Sequence, residues 1–471
     1  MNLGKKTKIV CTIGPVTSSE AKLTELVHAG MNVMRLNFSH GDFAEHQERV
    51  DNLRAVMKKT GKVVAIMQDL CGPKIRVGEF REGKIVLKEG QTFTLTTDEI
   101  IGNEERVHIN YPLLPREVKA GGFIMIDDGS KKLQITEIKG NDIITKVIVG
   151  GDLKNKRGVN LPGANLSLSA LTDKDKADLA FGFKNQVDFV AISFVRRVSD
   201  VLELREIMDK AGSKAQIIAK IETPEAVDNI DAILSAVDGL MVARGDLATE
   251  IPAEEVPMVQ KSLIWKCNVV GKPVITATQM LQSMINVATP TRAEVSDIAN
   301  AIIDGTDAVM LSEETTLGKY PVEAVKMMAR IAARIEGEIY TRDTIAEYSE
   351  SHGVTDVVSQ SAVRASHSIG AKLIVALTRS GSTARMIARY RPAERILALS
   401  DKPENAHKLA LSFGCYPMVV PTLKTVAEIM DTVRKITFDN ELVKKGDKVV
   451  IVAGMPFGES SETNFILVET L

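Results

Sequence analysis

The sequence predicts an α/β chain made of three regions, on three observations. Eight short apolar runs alternate with amphipathic segments in the first part of the chain. Between about Cys71 and Ala170 that rhythm stops, and period-two alternation with Gly-rich turns takes over. From about Tyr340 onward a strand–helix rhythm resumes in a smaller unit.

The eight runs are "TKIVCTIG" (7–14), "NVMRLNFS" (32–39), "VVAIMQDL" (63–70), "VDFVAISF" (187–194), "QIIAKIE" (216–222), "GLMVARGD" (239–246), "PVITATQ" (273–279) and "DAVMLS" (307–312). Helical segments fall between them at 18–29, 42–60, 173–183, 200–211 and 254–270. Strands that are apolar throughout are buried on both faces, as in parallel sheets covered by helices. Eight is the number that closes a (β/α)8 TIM barrel, although a doubly wound open sheet gives the same alternation. The interruption contains "KIVLKEGQTFTLTT" (84–97) and "KLQITEIKGNDIITKVIV" (132–149), which read as an inserted antiparallel β lid without good helices. The last region, with "KLIVALT", "RILALS", "YPMVV" and "KVVIVAG", reads as a C-terminal α/β domain. The expected divisions are 1–70 with 170–340, then 71–169, then 341–471.

Composition narrows the function. At 471 residues the chain exceeds one core. A net charge of −2 argues against a bulk nucleic-acid or membrane surface. The cysteines Cys11, Cys71, Cys267 and Cys415 are scattered with no CxxC pair, which suggests reduced thiols in a cytoplasmic protein. No apolar run approaches the ~20 residues of a membrane span.

Polar residues crowd the C-terminal ends of the predicted strands, the active face of a barrel. They are Arg35, Asn37, Ser39, Asp69, Ser193, Lys220, Glu222, Arg244, Asp246, Thr276, Thr278 and Ser312. Residues two apart on a strand share a face, so Lys220 and Glu222 are expected side by side. Glu222 and Asp246 offer hard oxygen ligands from neighbouring strands with no His or Cys beside them, which suits Mg²⁺ or Mn²⁺. Arg35, Lys220 and Arg244 are expected to surround an anion. A divalent metal beside clamping cations is what phosphoryl transfer requires. There is no GxxxxGK[ST], so this is not a P-loop enzyme.

"TKIVCTIGP", "MNVMRLNFSHG", "KIETPEAV", "MVARGDL", "VITATQM", "PTRAE" and "DGTDAVMLS" together resemble the pyruvate kinase family, in order along essentially the whole chain. The resemblance implies a barrel, an inserted lid and a C-terminal effector domain, usually in a homotetramer. It implies phosphoryl transfer from phosphoenolpyruvate to ADP, giving pyruvate and ATP. Glu222 and Asp246 would then hold the metal, while Gly245, Asp246 and Thr278 would bind the substrate carboxylate. Lys220 and Arg35 would contact the phosphoryl group, and Thr278 would stand where enolpyruvate takes its proton. Asn37, His40, Arg76 and Arg157 would lie on the nucleotide side. Two rivals stay open, a metal-dependent carbon–carbon lyase and a metabolite sensor with weakened catalysis.

Two stretches bear on regulation and ion use. "LTRSGSTARMIARY" (377–390) would hold an effector phosphate at Thr378, Ser380, Ser382 and Thr383. The covering loop "GMPFGESS" (454–461) carries Glu459 and no cation, which suggests a sugar or nucleoside monophosphate. Asn37 and Ser39 of "MNVMRLNFSHG", together with Asp69 and the Leu70 carbonyl of "QDLCGPKIR" (68–76), match the K⁺ subsite that the resemblance implies. Relatives that need K⁺ usually continue Thr-Lys-Gly-Pro-Glu after the aspartate, whereas this chain has Leu70 and Lys74. The expectation is that the Lys74 ammonium fills the subsite and that K⁺ is not required. Three departures from the family pattern are Ala248 in "GDLATE", Glu313 in "SEETTLGKYP" and the altered 286–290 loop.

Overall fold

Strand Lys8–Thr12 pairs in parallel with both Val33–Asn37 and Ala308–Leu311, so the eight-stranded sheet closes on itself. The remaining members, in order around the barrel, are Ala65–Asp69, Phe189–Ile192, Gln216–Ile221, Gly239–Ala243 and Val274–Ala277. This computed structural model describes residues 4–164, 166–339, 353–459 and 461–471. The open-sheet alternative is therefore excluded. The expected boundary near Tyr340 and position 341, and Ser460 of the covering loop, lie outside the described residues.

The helices follow from local chemistry. Ser19 and Asp42 cap the first two, each accepting a first-turn backbone N–H, and Gly61 ends the second in the left-handed region at φ 66°. Thr172 with Asp175 and Thr291 with Glu294 form capping boxes at two later helices. No described helix is long and apolar enough to cross a membrane.

Inside the barrel, Val10, Met67, Phe189, Ile218, Met241 and Ile275 form one fully buried layer. Ala410 and Leu411 of the C-terminal region join that same cluster, so the floor of the barrel is stopped by the last domain. Around the stopper, Arg391 Nη2 lies 2.9 Å from Asp307 Oδ2, and the Phe413 N–H donates to Asp307 Oδ1 at 2.9 Å.

The inserted region holds a six-stranded sheet, Val159–Asn160, Phe123–Ile126, Lys131–Lys139, Asp142–Val149, Thr92–Thr96 and Arg106–His108, beside a two-stranded ribbon. Two details differ from expectation. Thr92–Thr96 and Arg106–His108 run parallel, and a one-turn helix spans Leu114–Glu117. The last region is a five-stranded sheet with a closing antiparallel strand, Thr463–Thr470, not anticipated from the sequence.

One buried histidine sets the loop that follows the second strand. His46 is 1% exposed and stacks on Phe38 with ring centroids 4.2 Å apart. Its Nε2 donates to the His40 carbonyl at 3.0 Å, and Nδ1 faces Arg49 Nη1 at 3.3 Å, which selects the neutral tautomer. Burial, then Arg49, lowers its pKa to about 4. Between pH 6.5 and 4 the unfolded chain binds a proton that the folded chain refuses, so stability falls as pH falls. Relative to His46→Gln, the native protein should lose about 2 kcal/mol of its unfolding free energy from pH 7 to 5. Paired calorimetric unfolding at the two pH values checks this, and parallel profiles for both proteins would refute it.

Candidate active site

The strand ends meet at one mouth of the barrel. Arg35 Nε donates to Asp69 Oδ2 at 2.6 Å, and Arg35 Nη1 donates to Thr12 Oγ1 at 2.8 Å. Lys220 Nζ donates to Ser193 Oγ at 2.7 Å and lies 3.0 Å from Glu222 Oε1 and 3.5 Å from Asp69 Oδ1. Ser193 Oγ in turn donates to the Leu70 carbonyl at 2.7 Å. Asp69 and Glu222 are each 1% exposed. Lysine and glutamate two apart therefore do share a face, as strand geometry requires.

Burial alone would lower the Lys220 pKa, but Asp69 and Glu222 outweigh it and hold the ammonium above the ordinary lysine value. Burial would raise Asp69, yet Arg35 and Lys220 hold it below the usual carboxylate range. Glu222 is pushed up by burial, with Lys220 offsetting only part of it. The Glu222 Oε1 and Asp69 Oδ1 atoms are buried without a well-aligned hydrogen bond, although Lys220 stands nearby. A buried carboxylate oxygen without a hydrogen-bond donor fits a hard cation. Glu222 and Asp246 are the residues that would hold one. Among the described residues no group of three metal-ligating side chains occurs, so such an ion would rely on water or substrate oxygens, as Mg²⁺ commonly does.

Several expectations need correction. Asp246 is not on a strand end: the strand stops at Ala243, and Asp246 lies in the first turn of helix Arg244–Glu250. Arg244 does not join the cationic cluster. Its guanidinium turns beneath the next strand, donating to Asp297 Oδ1 at 2.6 Å and to the Ala277 and Thr278 carbonyls at 3.2 and 2.7 Å. Lys74 does not lie in the Asn37–Ser39–Asp69 nest. Its Nζ sits 3.7 Å from Asp246 Oδ1, the half-buried carboxylate within its reach, while Asp69 is already matched by Arg35 and Lys220.

Thr278 has φ 72°, in the left-handed region that a β-branched residue seldom adopts. The Gly245 N–H, donating to Thr278 Oγ1 at 2.8 Å, and Arg244 hold it there. Asn37 Oδ1 accepts from the Ser39 N–H at 3.2 Å, and the His40 side chain is exposed. Arg76 and Arg157 sit together at the lid's root, where Arg76 donates to the Lys156 carbonyl and Arg157 pairs with Asp127 at 3.4 Å. Neither touches Asn37 or His40 through a described polar contact. Ala248 and Glu313 are exposed, so neither departure crowds the mouth. The 286–290 loop is anchored by Val287 N–H to the Ser283 carbonyl before the Thr291 cap.

Sequence reasoning missed two supports. Thr12 orients Arg35, and the Phe194 N–H, at φ 53°, donates to Glu222 Oε2 at 2.6 Å. A backbone donor leaves no mark in residue type.

In the C-terminal region, Thr378, Ser380, Ser382 and Thr383 line a pocket of about 720 Å³ including its open mouth. Helix Ser382–Ala388 is seven residues long, and Thr383 Oγ1 is already bonded to Thr463 Oγ1 at 2.8 Å. Arg379 is the pocket's cation, held by Asp401 at 3.3 Å and by the Gly458 carbonyl at 2.9 Å.

Comparison with known proteins decides the family. The family model described as "Pyruvate kinase, barrel domain" matches residues 4–325, and "Pyruvate kinase, alpha/beta domain" matches 356–469. The chain belongs to the pyruvate kinase family. It is 49% identical to a pyruvate kinase of Geobacillus stearothermophilus and 48% identical to one of Bacillus licheniformis, over 99% and 98% of this chain and 80% of each relative. A crystal structure of a pyruvate kinase from Cryptosporidium parvum superposes with a TM-score of 0.94 at 40% identity, covering 99% of this chain and 96% of that one. The lyase and sensor readings are not favoured. Pyruvate kinases are divalent-metal-dependent phosphotransferases that act on phosphoenolpyruvate and ADP.

The lone ammonium between two buried carboxylates generates a prediction. Lys220→Met should fold and still bind Mn²⁺, yet lose on the order of 10²-fold or more in kcat. Coupled pyruvate formation measures the loss, and electron paramagnetic resonance measures Mn²⁺ binding. A folded variant with native kcat would refute it.

Proposed function

We propose that phosphoryl transfer from phosphoenolpyruvate to ADP runs at the Arg35–Asp69–Lys220–Glu222 cluster. The supporting observation is that Lys220, kept protonated by Asp69 and Glu222, points from a strand end into the barrel mouth. A divalent cation, Mg²⁺ or Mn²⁺, held by Glu222 and Asp246 supplies positive charge to the substrate's oxygens when bound. Arg35 and Lys220 offer their N–H groups to the phosphoryl oxygens, and Lys220 remains beside the enolate oxygen left behind. The N–H groups of Gly245 and Asp246 and the Thr278 hydroxyl receive the carboxylate, with the substrate replacing the present Gly245–Thr278 bond. Thr278 thereby stands beside the carbon that takes up the proton. Asn37, His40, Arg76 and Arg157 meet the nucleotide after the lid carries the last two inward, and the closed lid excludes water.

K⁺ is not required in this reading. Lys74 brings a fixed ammonium to the metal side of the cluster, beside Asp246, rather than into the nest of Asn37, Ser39, Asp69 and the Leu70 carbonyl. Turnover in Mg²⁺ with only tetramethylammonium salts should match turnover with K⁺ at equal ionic strength. Lys74→Glu should introduce K⁺ dependence. Wild-type activation of tenfold or more by K⁺, about 1.4 kcal/mol, would refute the proposal.

The enzyme is proposed to be a cytoplasmic homotetramer activated by a sugar or nucleoside monophosphate. Among the described residues lining the C-terminal pocket, Arg379 is the one cation and it shares the lining with Asp401, Glu459 and Glu462, which suits at most one phosphate. Glucose 6-phosphate or AMP should lower the half-saturating phosphoenolpyruvate concentration severalfold. A stronger response to fructose 1,6-bisphosphate would overturn this assignment.

A further inference from the structure

Helix Arg244–Glu250 carries Gly245 and Asp246 at one end, and its other end is fastened to the lid. Glu250 Oε1 accepts from Asn160 Nδ2 at 3.0 Å and from the Leu161 N–H at 3.3 Å. Asn160 is 7% exposed and sits on the edge strand Val159–Asn160, which pairs with Phe123–Ile126 of the six-stranded lid sheet. The bond therefore joins the lid's main sheet, through its terminal strand, to the barrel. The lid also comes close one residue earlier in the helix: there is room beside Thr249 for lid residue Gly129, where an added Cβ would lie 3.4 Å from Thr249 Cγ2. Thr249 Oγ1 donates to the Asp246 carbonyl at 2.7 Å, which ties Thr249 to the proposed metal ligand.

Glu250 is poorly explained as a surface acid. Burial raises its pKa, while Asn160 and the Leu161 N–H lower it in part. A carboxylate kept in such a place needs its donors, and both come from the lid. Glu250, Asn160, Leu161, Lys74 and Phe194 together line the cleft between lid and barrel.

We propose that Glu250 is a positioning residue that couples the lid to the helix presenting Gly245 and Asp246. From Asp246 to Glu250 is four residues, about 6 Å of helix. So short a rod cannot bend to absorb a displacement. Movement of the Asn160 strand either breaks the Glu250 bond or shifts Asp246 and the Gly245 N–H with it. Lid position and site geometry are thus set together, and this rests on the proposed role of the lid in excluding water.

The test uses the full chain with Mg²⁺. Glu250→Ala, and independently Asn160→Ala from the lid side, should lower kcat about tenfold or more while far-ultraviolet circular dichroism stays native. Phosphoenolpyruvate should be lost to water, so that more is consumed than ATP is formed. Amide exchange at Leu161 should accelerate. Glu250→Gln keeps an acceptor oxygen for both donors and should retain most of the activity. Asn160→Asp should behave as the alanine variants, and combining it with Glu250→Gln, which reverses donor and acceptor, should recover activity. Native kcat and native Leu161 exchange in both alanine variants would overturn the coupling. Faster exchange and lower kcat with one ATP still formed per phosphoenolpyruvate would sustain the coupling and refute water exclusion by the lid.

Discussion

The barrel mouth is organised around one buried ammonium. Lys220 lies within 3.5 Å of two carboxylates that are themselves almost fully enclosed, and Arg35 shares one of them. Taking an ion out of water costs several kcal/mol, and a deficit of one partner leaves an uncompensated charge worth about 3–5 kcal/mol. Asp69 cannot ionise comfortably without Arg35, and Lys220 cannot stay charged without Asp69 and Glu222. The cluster therefore requires the strands at Val33–Asn37, Ala65–Asp69 and Gln216–Ile221 to hold their register. Barrel closure supplies that register.

Charge arithmetic explains why such a cluster suits phosphoryl chemistry. Arg35, Lys220 and Lys74 face Asp69, Glu222 and Asp246, three cations against three anions, so the side chains of the mouth sum to about zero charge. A phosphorylated carboxylate brings about 2.5 to 3 negative charges. Bound alone it would leave the enclosed site strongly negative, whereas with a divalent cation most of that charge is cancelled. The anions already present explain why the substrate needs the metal, and the cations explain why the metal needs the substrate. Neither Lys74 nor Arg35 could be lost without moving this balance by a full unit.

Much of this was legible in the sequence because it depends on spacing. Eight apolar runs with polar ends announced the barrel, and Lys220 with Glu222 two residues later announced a shared face. What failed depended on where a strand stops. "GLMVARGD" reads as one continuous run, but the chain turns into a helix at Arg244, which removes that side chain from the mouth and lifts Asp246 onto a helix turn. Lys74 was misplaced because sequence shows its distance along the chain from Asp69, not that Asp69 already has two cations and Asp246 has none closer. The Phe194 N–H and the Glu250–Asn160 bond were invisible for a different reason. One is a backbone group, and the other joins residues 90 positions apart.

The floor of the barrel carries the same logic as its mouth. Leu411 fills the end of the interior layer, and Asp307, immediately before the last strand, receives Arg391 and the Phe413 N–H from the C-terminal region. Arg391 follows by three residues the helix Ser382–Ala388 that borders the C-terminal pocket. Asp307 also accepts the Val274 N–H, so one carboxylate fixes two neighbouring barrel strands and the last domain at once. Separating the domains would expose a leucine-filled opening and leave Asp307 buried without its guanidinium. The C-terminal region is therefore part of the barrel's core rather than an attachment to it. Through Arg391 and Asp307 the segment that follows helix Ser382–Ala388 is joined to strand Ala308–Leu311, whose other end opens on the mouth.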